Sequence, residues 1–196
     1  MTDAPANPLD IETRTGWPPD LRVLFERYPR DVWPGHPNLG RLARFWLSIH
    51  DGFRHHGAAL EASAGDFREG LVTPQQFRAN FAPRLQTFLS HLEGHHQIED
   101  YEFFPRFGDA EPRLLRGFEI LELDHGTIHH AMDRMADTAN AFMAAEAGDR
   151  DAMLRAGDSY VTSGEALIRL LGRHLEDEED LIVPLILERS EAGLGL

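Results

Sequence analysis

Two stretches of this chain pair an imidazole with a carboxylate at helical spacing. His95-His96-Gln97-Ile98-Glu99-Asp100 leads on to Pro105, and His174-Leu175-Glu176-Asp177-Glu178-Glu179 leads on to Pro184. Each copy has a His, a Glu four residues on, a further acid directly after it, and a Pro ten residues after the His. Residues at i and i+4 stand one above the other on a helix, so each copy turns an imidazole and a carboxylate toward the same place. That arrangement suits metal ligation. With no Cys among 196 residues, thiolate catalysis, disulfides and Cys-bound zinc or iron–sulfur clusters are excluded. A transition metal must be held by carboxylates and by His, of which there are 11.

The elements that carry these residues read as long helices. Residues 1–37 form a Pro- and Gly-rich arm (Pro5, Pro8, Pro18, Pro19, Pro29, Pro34) with a short helix over Leu21–Tyr28 and with Trp17, Phe25 and Trp33 as anchors. A first long helix is predicted from about Asn38 to Glu61, with Leu42, Trp46, Ile49, His50, Phe53 and Leu60 on one face, before a Gly/Asp loop. Thr73-Pro74 caps a second, carrying Phe77, Phe81, Leu85, Phe88, Leu92, His95 and Glu99 and ending near Pro105, with a kink or late start at Pro83. Glu111-Pro112 opens a third, with Leu114, Phe118, Leu121, His125, Ile128, Met132, Met135 and Phe142 at threes and fours, broken at Gly148-Asp149. The fourth carries Tyr160, Leu167, Leu171, His174, Glu178, Leu181 and Leu185 and fades after Arg189. No segment alternates with period two. The predicted fold is all-α, an up-down-up-down four-helix bundle over residues 38–190, with the arm before it and a tail over 191–196.

The halves repeat. Aligning His50 with His125 sets Phe53 over Ile128 and Leu60 over Met135, and His95 and His174 then head the two His-x-x-x-Glu copies, 45 and 49 residues further on. The polar residues in core phase are His50, His95, Glu99, His125, His174 and Glu178, with His129 one turn after His125. A buried polar group without a partner costs roughly 1–3 kcal/mol, and an ionised carboxylate more. Seven such groups facing one another would rival the ~5–15 kcal/mol stability of a whole domain. A cation among them removes that cost. The donor set exceeds what one tetrahedral zinc needs, and carboxylates on facing helices can bridge two ions, so a dinuclear non-haem iron centre is the natural reading. His55, His56, His91, His96 and His130 carry less weight, and His36 lies in the arm.

The order His, His-x-x-x-Glu, His-x-x-x-His, His-x-x-x-Glu, one element per helix, resembles the hemerythrin-like (HHE cation-binding) family over about residues 38–190, and "EDYEFFP" and "EEDLIVP" resemble that family's acidic-then-apolar ending. The resemblance implies a four-helix bundle with two irons: one on His125, His129 and His174, the other on His50 and His95, with Glu99 and Glu178 bridging. Oxygen-carrying hemerythrins typically place an Asp five residues after the last His. Here Glu178 stands at four, in the better helical phase, and Glu179 at five, as the alternative ligand.

The expected role is a metal-binding module that takes up or senses O2 or NO, or handles iron. No catalytic residues are assigned. The alternatives are a di-iron enzyme acting on peroxide or oxygen, and an interaction domain built on structural zinc. All 19 basic residues are Arg, without a basic block, and the net charge is −14, so neither nucleic acid nor a membrane surface is an expected partner. A partner protein or a second copy would carry any signalling. Without an apolar run of eighteen residues or a leader pattern, a cytoplasmic location is expected.

Overall fold

The computed structural model describes residues 9–145 and 149–196. Pro5 and Pro8 of the arm, and Gly148, lie outside them. The described chain is all-α, the expected up-down-up-down four-helix bundle, with no strand among its described residues. A short α1 spans Val23–Arg27. The long helices are α2 (Arg41–Arg68), α3 (Pro74–Ile98), α5 (Leu115–Ala144) and α6 (Arg150–Arg189), and a short α4 (Phe104–Ala110) lies between α3 and α5. No helix is long and apolar enough to cross a membrane, among the described residues.

The start and stop signals explain the boundaries, and several differ from expectation. The α2 helix does not stop at Glu61. Gly65 lies inside it, and the stop is Gly70, whose φ of +71° allows the Schellman closure: Gly70 N–H donates to Phe67 O at 3.0 Å and Leu71 N–H to Asp66 O at 2.9 Å. At α3 the expected cap is reciprocal. Gln76 N–H donates to Thr73 Oγ1 at 3.3 Å, and Thr73 N–H donates to Gln76 Oε1 at 2.9 Å, with Pro74 first in the helix. The helix runs unbroken through Pro83. It does not end near Pro105: a π-helical turn spans Glu99–Phe103 and α4 follows it without a break, Phe104 N–H donating to Glu99 O. A 3₁₀ turn over Pro112–Leu114 precedes α5, and Asp149 caps α6 by accepting from Ala152 N–H at 2.9 Å. The α6 helix runs through Pro184.

The chain divides into two compact units, and each long helix contributes a segment to both. The first holds the arm through His50, then Gln97–Gly126 and Gly172–Leu196; the second holds Asp51–His96 and Thr127–Leu171. In the first unit, Trp17, Leu21, Leu24 and Trp33 of the arm are buried with Trp46, Phe107, Phe118, Leu121, Leu181 and Leu185, while Phe25 is only half-buried against them. Helix α5 packs closely on α6 there, since a Cβ on Gly117 would stand 2.6 Å from Leu181 Cδ1. In the second unit, the core is aromatic. Phe67 stacks on Phe77 at 4.8 Å and meets Phe142 edge-on at 5.1 Å.

The α4–α5 corner of the first unit is fixed by a buried acid. Glu111 accepts from Arg113 Nε at 2.7 Å, from Arg113 Nη2 at 2.9 Å and from Arg189 Nη2 at 3.0 Å. The hydrogen bonds from Arg113 hold its pKa down at about 2 against an ordinary 4.5. A carboxylate whose folded pKa is depressed stabilises the fold above its unfolded pKa and loses that effect as pH falls. Because both Arg partners are half-exposed and screened, Glu111→Gln is expected to cost roughly 1–3 kcal/mol near neutrality. The gap to wild type should close between pH 4.5 and 2, which urea unfolding followed across that range would measure.

Candidate metal centre

Within the first unit, five of the sequence-selected residues converge. His50 comes from α2, Glu99 from the π turn, His125 from α5, and His174 and Glu178 from α6; every one is buried to 1% exposure or less. His125 Nε2 lies 3.0 Å from His174 Nε2 and 3.5 Å from a Glu99 oxygen. Glu178 Oε2 lies 3.4 Å from His174 Nε2 and 3.6 Å from His50 Nε2, between the two rings. His50, Glu99 and Glu178 each present a ligand-type atom within 4.8 Å of the others.

The opposite edges of the rings face acids. His125 Nδ1 is 2.7 Å from Asp100 Oδ1, His50 Nδ1 is 3.0 Å from Glu179 Oε1, and His174 Nδ1 is 3.7 Å from Asp124 Oδ2. An ionised carboxylate only accepts, so each of the two close pairs sets its imidazole as the Nδ1–H tautomer and leaves a lone pair on Nε2, pointing inward. The structure gives Glu178 and Glu179 different neighbours. Glu178 faces the converging Nε2 atoms, while Glu179 holds the outer edge of His50.

Further groups steady these acids. Trp46 Nε1–H donates to Glu178 Oε1 at 2.8 Å, and Phe104 stacks on the His125 ring with centroids 5.5 Å apart. Arg30 of the arm donates to Glu179 at 2.8 Å and to Asp180 at 2.8 Å, with its guanidinium over Trp33. Arg14, also of the arm, is fully buried. It donates to Asp124 Oδ2 at 2.5 Å and to Asp177 Oδ2 at 2.8 Å, and Arg173 pairs with the same Asp177. Trp17 Nε1–H donates to Asp177 O at 2.8 Å. None of the roles of Arg14, Arg30, Asp100, Asp124 or Trp46 follows from periodicity alone. The only sequence signal is that Asp100 and Asp124 adjoin Glu99 and His125.

The electrostatics follow from burial. The Glu99 carboxyl is pushed well up by desolvation and by the nearby charge of Glu178. His125 is pushed down by desolvation, against the pull of Asp100. Desolvation also lowers His174, but the nearby Asp124 and Glu178 carboxylates carry its net shift upward. Two carboxylates facing each other in a dry site oppose joint ionisation, and a cation among them removes the opposition.

The other selected residues lie in the second unit. His95 and His96 are its last residues on α3, directly before Gln97. His95 is half-buried with its ring 5.1 Å from Phe53. His96, given little weight from sequence, is fully buried, and its Nδ1 lies 3.1 Å from His129 Nε2. His129 is itself a third exposed and lies 3.3 Å from Glu93. His55, His56, His91 and His130 are exposed.

The description of the hemerythrin HHE cation-binding domain matches residues 41–186 of this chain. The chain belongs to that family. No curated protein and no solved structure matches it. Membership makes this a cation-binding hemerythrin-type domain, and its cluster of His and Glu is the candidate place for the ion. The residues fit one: inward lone pairs on imidazole nitrogen, two carboxylates, and outer acids that fix the rings.

The buried Arg14 should matter to the stability of this hemerythrin-type domain. Removing one partner of a buried ion pair leaves charge without compensation, so Arg14→Met is expected to cost about 3–5 kcal/mol. Urea unfolding followed by Trp fluorescence would measure it, with Arg22→Met, on the exposed surface, as the control that should stay near wild type.

Proposed function

We propose that this hemerythrin-type domain holds a non-haem di-iron centre and uses it to take up or sense a small ligand, O2, NO or peroxide. The supporting observation is the approach of His125 Nε2 to His174 Nε2 at 3.0 Å while Asp100 occupies the other edge of the His125 ring. Two imidazole nitrogens at that separation repel unless a proton or a cation lies between them. Iron is favoured over softer-ligand metals by a donor set of imidazole and carboxylate without sulfur. Two ions rather than one would be supported by a Glu178 oxygen that lies 3.6 Å from His50 Nε2 and 3.4 Å from His174 Nε2.

In this reading, His50, His95, Glu99, His125, His174 and Glu178 would hold the ions. His95 joins through register, being one helical turn before Glu99. For a third imidazole with His125 and His174 we favour His96 over His129. His96 is the buried member of the pair and stands one turn before Asp100, which bonds His125. His129 then acts on His96 as its hydrogen-bond partner.

Bound iron would supply Lewis-acid and one-electron redox chemistry toward the small ligand. The chain's own groups do the rest. Trp46 N–H fixes the Glu178 carboxylate, Asp100 and Glu179 keep Nδ1 protonated so that Nε2 faces inward, and Arg14 offsets the acids behind them.

Elemental analysis of protein expressed with iron, with visible spectra in air and after reduction, tests the proposal. About two irons per chain are expected, with an absorption band that changes on reduction. His174→Ala should lose most of the metal and His96→Ala about half, while His129→Ala keeps it with a shifted spectrum. One zinc without colour would overturn the di-iron reading, and unchanged iron in His174→Ala would overturn the site.

A further inference from the structure

In the second unit, α2 and α3 leave a groove of about 550 Å³ whose lining includes none of the candidate metal ligands. Its floor is apolar. Phe53 and Phe88 meet edge-on with centroids 6.0 Å apart, and Leu60 is buried with them. Two short side chains, Ala59 on α2 and Pro83 on α3, stand in the lining and leave it open.

The rest of the lining is basic. His55 and His56 come from α2, Arg84 and His91 from α3, and all four are exposed. No Asp or Glu lines the groove, although the chain has 33 acids and a net charge of −14. Exposed arginines elsewhere meet acids, as Arg27 does with Glu188, Arg68 with Glu165 and Arg116 with Asp20. Arg84 has neither a hydrogen bond nor an ion pair among the described residues. The bland account is a solvated polar face. It covers each basic residue singly, but not four of them from two helices around one apolar floor without an acid.

We propose that this groove binds a small aromatic carboxylate, its ring on the Phe53–Phe88 floor and its carboxylate on Arg84. The volume lies within the range of small-molecule sites. A guanidinium holds a carboxylate through two parallel N–H···O bonds, imidazole N–H groups beside it add donors, and aromatic walls favour an aromatic body. Three imidazoles could instead suit a divalent metal. Against that, the charge of Arg84 opposes a cation, no carboxylate is there to neutralise one, and the three rings do not bring ligand atoms within 4.8 Å of one another.

The probe is 2-naphthoate, compared with 2-naphthamide, which has the same rings and no charge. Both are titrated into the full chain by calorimetry, with the imidazole NMR signals of His55, His56 and His91 as the site report. Naphthoate is expected to bind saturably and move those signals, and to bind about ten-fold more weakly to Arg84→Met. Its affinity should also fall as salt is raised from about 0.05 to 0.5 M. The amide should bind more weakly, and equally to wild type and Arg84→Met. Ala59→Trp, at an exposed position, should abolish naphthoate binding. Because Arg84 has no partner to lose, Arg84→Met should melt as wild type does. The proposal is overturned if naphthoate shows no saturable binding or moves none of the three signals. It is equally overturned if Arg84→Met binds naphthoate as wild type does, if the amide binds as tightly as the acid, or if Arg84→Met melts markedly lower, which would mean that Arg84 already has a partner. Zinc titrated alone is the counter-test: movement of all three signals by zinc and none by naphthoate would make the groove a metal site instead.

Discussion

The constraint on which the first unit depends is that imidazole nitrogens and carboxylates are brought together where water does not reach. His50, His174 and Glu178 are fully buried, and His125 and Glu99 nearly so. Such a cluster is stable only if every ring has one fixed tautomer and the inward-facing charges are balanced. The outer acids meet the first condition for His125 and His50 by holding Nδ1, and a cation would meet the second. That is why the acids outside the cluster are as tightly positioned as the groups inside it, and why Trp46, an apolar anchor by its spacing, directs its N–H at Glu178.

Charge balance is then a problem for the whole unit. The chain has a net charge of −14, and α6 alone brings Glu176, Asp177, Glu178, Glu179 and Asp180 in succession. On an exposed face such a run is simply solvated. Here Asp177, Glu178 and Glu179 are buried, and only Asp180 and Glu176 reach water. The arm answers with cations at two points: Arg14 against Asp124 and Asp177, and Arg30 against Glu179 and Asp180. The second unit has no such burden, and its aromatic interior shows it.

Much of this was readable from the residues themselves. The apolar stripes placed four long helices because spacing of three and four has one simple meaning. The Thr73 cap was legible because its chemistry is local. What escaped was whatever depends on distant partners or on one glycine against another. Gly65 and Gly70 look alike as stop signals, but only Gly70 has the positive φ that closes α2. The π turn at Glu99–Phe103 inserts a residue that no periodicity announces. His96 falls off the apolar stripe of α3, yet it is buried while His129, in good phase on α5, is not. Arg14 and Asp177 are 163 residues apart, and no local pattern pairs them.

The arm's contacts reach beyond the span of the family match. The family pattern covers residues 41–186, yet Arg14, Trp17 and Arg30 lie upstream of it and hold the acids behind the histidines. The functional boundary is therefore wider than the homologous one. A fragment cut at the family limits would keep every candidate ligand and still leave Asp124 and Asp177 without the guanidinium of Arg14. In this chain the matched bundle depends on residues of the arm that precedes it.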